Sequence, residues 1–140
     1  MPYPEEMIAP MRAELTDNGV TALSSQADVE AFMEANKSGS AMIVLNSVCG
    51  CAAGSARPGI LMSLENDVKP GAVGTCFAGN DIAAVSYVRG LFPDAPPSSP
   101  SVFLFKEGKP GAYIPRHVFE SGMPQQVADT LKDAYADVCS

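Results

Sequence analysis

The chain has 140 residues, 46% of them hydrophobic, and a formal net charge of −7 from 9 basic and 16 acidic residues. That length fits a single domain, 1–140, with enough apolar material for a core. The scattered basic residues exclude the basic face that nucleic acid binding needs, and no apolar run approaches the ~18–20 residues of a membrane span.

The start, Met1-Pro2-Tyr3-Pro4-Glu5-Glu6, is acidic and lacks the basic and apolar parts of a secretory signal. A cytoplasmic protein is therefore expected. Met7, Ile8, Met11 and Leu15 lie at helical spacing, which predicts a helix over 5–16, kinked or split at Pro10 and ended by Asp17-Asn18-Gly19. Ser24 or Ser25 is placed to cap a second helix over 26–37, with Val29, Phe32 and Met33 on its apolar face. Ala41–Asn46 reads as a strand without polar alternation, hence buried on both faces. After Cys51 a helix is predicted as far as Glu65, bent at Pro58 and with Ile60, Leu61 and Leu64 turned inward. Val73–Ala78 is the second strand, Asp81–Leu91 a helix, and 93–99 a rigid proline-rich loop. Ser101–Lys106 and Gly111–Pro115 form a hairpin around Glu107-Gly108, in which Pro110 demands an edge position. Met123–Val138 is the last helix, with Val127, Leu131, Tyr135 and Val138 on one stripe. From the first strand onward the order is β-α-β-α-β-β-α, parallel crossovers followed by an antiparallel hairpin. It is the order of a thioredoxin-like fold: an α/β three-layer sandwich with a mixed sheet, here with an N-terminal helical extension.

Cys49-Gly50-Cys51 stands where the first strand gives way to a helix. A helix N-terminus presents unpaired N–H groups and partial positive charge. Both favour a thiolate, which is the nucleophilic form of cysteine. Two buried structural cysteines, or a pair of metal ligands, are the other readings of the motif. Four cysteines in a cytosolic chain are more often catalytic or metal-binding than a disulfide scaffold.

The run Asn46-Ser47-Val48-Cys49-Gly50-Cys51-Ala52-Ala53-Gly54, followed by Ala56-Arg57-Pro58, resembles the bacilliredoxins. So do Ser98-Ser99-Pro100-Ser101, Ile114-Pro115-Arg116-His117, the early Pro10-Met11-Arg12-x-Glu14-Leu15-Thr16 and the late Cys139. The resemblance covers nearly the whole chain. It implies a thiol–disulfide oxidoreductase that removes bacillithiol from protein mixed disulfides, with Cys49 attacking and Cys51 resolving. It also implies no metal and no organic cofactor beyond a low-molecular-weight thiol as co-substrate, and disulfide-bonded or bacillithiolated proteins as clients. Protein disulfide isomerisation is the enzymatic alternative. A metal-binding module of Cys49, Cys51 and His117 is the non-enzymatic one, although zinc sites usually take four ligands at wider cysteine spacing. A monomer or weak homodimer is expected.

Cys49, at the strand end, is expected to be more exposed than Cys51. A disulfide across a single residue closes a small ring with unusual backbone angles, which Gly50 tolerates. Strain in such a ring makes it easier to reduce, which suits an isomerase or the resolution of a small-thiol adduct. In thioredoxin-like folds the proline opening this strand is cis and its neighbour's backbone pairs with substrate, so Ser99 and Pro100 are candidate substrate-binding residues and their bond is expected to be cis. Topology sends Arg116 and His117 out near Cys49. A positive neighbour lowers a thiol pKa, and His117, the one histidine, has the side chain suited to proton transfer near neutrality. Cys76 reads as a small core residue. Cys139 ends a helix of about 16 residues, ~24 Å long, and is expected to be distant from Cys49.

Overall fold

The computed structural model describes residues 2–120 and 123–139. Its helices are α1 (Glu5–Thr16), α2 (Gln26–Ala35), α3 (Arg57–Ser63), α4 (Ile82–Gly90), α5 (Arg116–Glu120) and α6 (Pro124–Val138). Its strands are β1 (Thr21–Ala22), β2 (Ser40–Asn46), β3 (Ala72–Phe77), β4 (Ser101–Lys106) and β5 (Lys109–Ile114). A π-helical turn, Ala52–Ala56, leads into α3.

The apolar β2 lies in the middle of a five-stranded sheet of order β1-β3-β2-β4-β5. It pairs parallel with β3 and antiparallel with β4. Alternate side chains divide between two cores, as strand geometry requires. Met42 and Val44 pack with Ile60 of α3 and with Val127, Leu131 and Tyr135 of α6. Ile43 and Leu45 pack on the other face with Val29 and Phe32 of α2 and with Val85 and Val88 of α4. The predicted α6 stripe is buried along its length, and the Tyr135 hydroxyl is satisfied by Ser63 Oγ at 2.6 Å. The expected three-layer α/β architecture is present.

Parallel β2 and β3 end at the same pole, and β4 begins there, with Leu45 opposite Ser101. That pole therefore gathers the chain after Asn46, the turn after Phe77, the loop before Ser101 and the exit of β5.

Several local expectations hold in detail. Ser25 Oγ accepts the Asp28 N–H at 3.1 Å, capping α2. The hairpin turns at Glu107 and Gly108 with φ of 53° and 77°, the left-handed pair of a tight two-residue turn. Pro110 is on the edge strand β5. The Ser99–Pro100 bond is cis.

Elsewhere the structure corrects the sequence reading. Pro10 does not split α1, which runs unbroken through it. It is exposed and sits mid-helix, at the sixth of its twelve positions. Pro58 is accommodated by widening the preceding turn, and the Arg57 N–H bonds five residues back to Ala52 O. β1 and α5 went unpredicted, β1 because two residues show no period and α5 because it is a single turn following a proline.

α3 and α6 approach closely at Gly59, where an added Cβ would lie 2.6 Å from Val127 Cβ and 2.9 Å from Pro124 O. Gly59→Ala is expected to destabilise the fold by about 2 kcal/mol, since overpacking of a tight contact costs ~1–3 kcal/mol. Urea unfolding should show a lowered midpoint with an unchanged slope.

Candidate active site

β2 ends at Asn46, and within three residues the chain becomes a helix. The Cys49 carbonyl accepts the first helical bonds, from Ala52 N–H at 2.9 Å and Ala53 N–H at 3.4 Å. Cys49 is thus the N-cap. Its sulfur takes the acceptor place that a serine or aspartate usually fills: Cys51 N–H points at Cys49 Sγ at 3.4 Å. Arg116 Nη2, from the start of α5, donates to the same sulfur at 3.3 Å. A backbone donor at a helix start and a guanidinium both stabilise a thiolate over a thiol.

Both thiols are half-buried. What distinguishes them is the pair of donors converging on Cys49. Gly50 is exposed, and a Cβ there meets nothing within 4 Å, so neither space nor a positive φ requires glycine in this conformation.

A buried polar cluster lies beneath the loop. Arg57, with a side chain 5% exposed, donates from Nε to Glu14 Oε1 at 2.8 Å. Its Nη1 donates to Asn46 Oδ1 at 2.9 Å and to Ser47 O at 3.0 Å. Asn46 Oδ1 also accepts the Ser47 N–H, and Asn46 Nδ2 donates to Met11 O at 3.0 Å. Ser47 Oγ accepts the Cys49 N–H at 3.1 Å. These supporting roles were not read from the sequence, although each residue belongs to a motif quoted above. The usable signal was a charged side chain placed inside a predicted apolar helix.

The predicted substrate-binding residues fall on the same pole. Pro100 is buried and Ser99 half-buried. Ser98, which the sequence reading passed over, is the hub of this loop. Its carbonyl accepts Ser101 Oγ at 2.9 Å, and its Oγ accepts Arg116 N–H at 3.3 Å and meets the Tyr113 hydroxyl at 2.7 Å. Arg116 is half-exposed and also pairs with Glu120 at 3.4 Å. His117 follows it, exposed, on the same short helix; the hydrogen bond to Cys49 sulfur comes from Arg116.

The remaining cysteines lie elsewhere. Cys76 is buried in β3, its thiol pushed up to about 12, first by desolvation and then by the Asp81 charge. Cys139 shares a hollow with Ser40 and Lys106, at the opposite end of β2 from Cys49. Its thiol is raised, chiefly by burial. The seven residues of β2, at ~3.3 Å each, separate the two sulfurs' neighbourhoods by roughly 20 Å. Among the described residues no group of three or more His, Cys, Asp or Glu side chains is gathered to hold a metal, and no helix is long and apolar enough to cross a membrane.

Comparison with known proteins bears on this constellation. A family model described as disulphide isomerase matches residues 3–139. A bacilliredoxin of Cytophaga hutchinsonii is 46% identical over 136 residues, covering 97% of this chain and 99% of the relative. The chain belongs to the bacilliredoxin family. A Salinibacter ruber bacilliredoxin is 43% identical across 100% of this chain and 82% of its own length. One from Shouchella clausii is 42% identical, covering 98% and 94% respectively. Among solved structures, a putative oxidoreductase with a thioredoxin fold aligns over 84% of this chain and 95% of its own, with a TM-score of 0.63 and 18% identity. Thioredoxin O2 of Arabidopsis thaliana, in its oxidised state, covers 85% of this chain and 96% of its own, with a TM-score of 0.57 and 19% identity. At those identities the two structures establish the thioredoxin-like fold. This bacilliredoxin-family chain is a thiol–disulfide oxidoreductase.

Arg116→Gln removes the cation at Cys49 Sγ. The pH midpoint for alkylation of Cys49 is expected to rise by about one unit, and the rate at pH 7 to fall about tenfold. Iodoacetamide labelling with peptide mass spectrometry reads both. In the folded protein the same experiment should leave Cys76 unlabelled up to pH 9. An unmoved Cys49 midpoint would show that the contact does not act on the thiol.

Proposed function

We propose that the protein removes bacillithiol from mixed disulfides on cytoplasmic client proteins, using a single thioredoxin-like domain. The observation carrying this reading is the Cys49 sulfur at a helix N-cap, within 3.3 Å of Arg116. The Cys49 thiolate attacks the bacillithiol sulfur of the mixed disulfide. A new S–S bond joins Cys49 to bacillithiol, and the client leaves as a thiolate that takes up a proton. Cys51, deprotonated, then attacks Cys49 Sγ. Bacillithiol departs as a thiolate and a Cys49–Cys51 disulfide remains. The two electrons that reduce the client come from this cysteine pair, and two equivalents of a low-molecular-weight thiol return them, leaving as the thiol's own disulfide.

In this scheme Cys49 and Cys51 are the catalytic residues. Ser99 and Pro100 offer an extended backbone edge to the client, Arg116 stabilises the attacking thiolate, and His117 is the exposed group suited to exchanging the proton. No metal or organic cofactor takes part. The protein acts as a monomer or weak homodimer. Disulfide isomerisation is the second reading, favoured by the description of the matching family model.

Exposure to bacillithiol disulfide tests the assignment. Cys51→Ala should accumulate one bacillithiol adduct on Cys49, read by intact-mass and peptide mass spectrometry, whereas Cys49→Ala should form none and lose turnover. Full turnover by Cys49→Ala would overturn the scheme. Equal adduct yields with bacillithiol and glutathione disulfides would overturn the choice of thiol.

Cys139→Ser should leave the release rate of a Cys49 adduct unchanged, because a disulfide needs Cα atoms within ~7 Å. Stopped-flow single-turnover release in dilute protein checks this.

A further inference from the structure

Arg57 makes three hydrogen bonds beneath the Cys49 loop. Its guanidinium is almost fully buried, in a chain whose other buried groups are mostly apolar. Burying a cation is costly unless it is paired and hydrogen-bonded. Here it is paired with Glu14, which is 36% exposed, and it bonds both the side chain of the last β2 residue and the carbonyl of the next. Ser47, held in this way, accepts the Cys49 N–H. One fork therefore fixes the stretch that sets the position of Cys49 Sγ relative to Cys51 N–H and Arg116. The fork stands on the π-helical turn before Pro58, which sets the angle at which Arg57 meets the loop. Glu14 belongs to α1, so the N-terminal helix is joined to the reactive cysteine through a continuous chain of bonds.

We propose that Arg57 is a positioning residue for Cys49, holding the Ser47–Cys49 turn in the geometry that stabilises the thiolate, and that Glu14 of the N-terminal helix opposes it electrostatically. The inference rests on Cys49 being the nucleophile. Among the described residues, the charged and titratable groups on the elements that meet at this pole are Cys51 on the helix that Cys49 caps, Arg57 in α3, Arg12 and Glu14 in α1, Asp81 at the turn after β3, and Arg116, His117 and Glu120 in α5.

The two partners should act in opposite directions. In Arg57→Lys the charge survives, but an ammonium cannot reproduce the planar fork that reaches Asn46, Ser47 and Glu14 together. The turn loosens, and the donors no longer converge on Sγ. In Glu14→Gln the amide oxygen still accepts from Nε, while the Arg57 charge is left uncompensated beneath the loop. A scaffold with no influence on the thiol would leave both pH profiles unmoved, and a generic loosening would shift both the same way.

The test is the pH dependence of Cys49 alkylation in the full-length protein, with the modified cysteine identified by peptide mass spectrometry and folding checked by near-UV circular dichroism. Arg57→Lys should raise the midpoint by about one unit and slow adduct formation with a small disulfide at pH 7 about tenfold; Glu14→Gln should lower the midpoint. A folded Arg57→Lys protein with the wild-type midpoint overturns the proposal, as does a Glu14→Gln midpoint that is raised or unmoved, whether or not the lysine variant folds. Labelling that maps to a cysteine other than Cys49 in the wild type would instead overturn the assignment of the nucleophile.

Discussion

Asn46 is where the architecture and the chemistry meet. It is the last residue of the central strand and is 2% exposed. The chain has to leave a sheet buried on both sides and enter a helix within three residues, and every backbone group in that passage needs a partner. The Asn46 amide spends its oxygen on Ser47 N–H and Arg57, and its nitrogen on Met11 O. Ala78 N–H in turn bonds Asn46 O at 2.9 Å, tying in the turn after β3. With those groups satisfied, the next donor–acceptor pair along the chain falls at the cysteines.

The N-terminal helix is held largely by charge. Only Ile8 and Leu15 of α1 are buried, too narrow a stripe to dock the helix by apolar burial alone. Arg12 grips Asp81 with two nitrogens at 2.8 and 2.9 Å, lies 5.4 Å from the Phe77 ring centroid and also pairs with Glu5. Its pKa is raised, first by the bond to Asp81. Asp81 is itself buried and caps the turn by accepting Phe77 N–H at 2.8 Å. Removing Arg12 would leave the Asp81 carboxylate buried without its cation, which is destabilising. The N-terminal extension is thus bolted at Asp81, in the turn after β3, and at Arg57, in the helix after the cysteine motif.

Features governed by one repeated physical signal were legible in the sequence. The unbroken apolar run of β2, the stripe from Val127 to Val138 and the Glu107-Gly108 turn each declare a period or a backbone requirement. The Cys49-Gly50-Cys51 motif declared its place at a strand–helix junction. Features that arise between distant segments were not legible. Arg57 and Glu14 are 43 positions apart, and nothing local marks them as partners. Ser98 matters because Tyr113 and Arg116 come back to it from the far side of the hairpin. The donors on Cys49 sulfur likewise come from two places, one local and one 67 residues away; the sequence supplied the pole to which Arg116 returns, and only the fold supplied the contact.

Both margins of the sheet are blunt. On one side β1 offers two residues for pairing. On the other, β5 carries Pro110, which has no N–H to donate, and opens with Lys109. A thiol–disulfide oxidoreductase meets other protein chains, and a long open strand edge is a template on which such chains can pair. An open strand edge would recruit such chains into cross-strand stacks, and a proline with a lysine beside it interrupts the ladder they would extend. On the function proposed above, the contact left for a client is the cysteine pole, where an encounter ends in exchange of sulfur bonds and release.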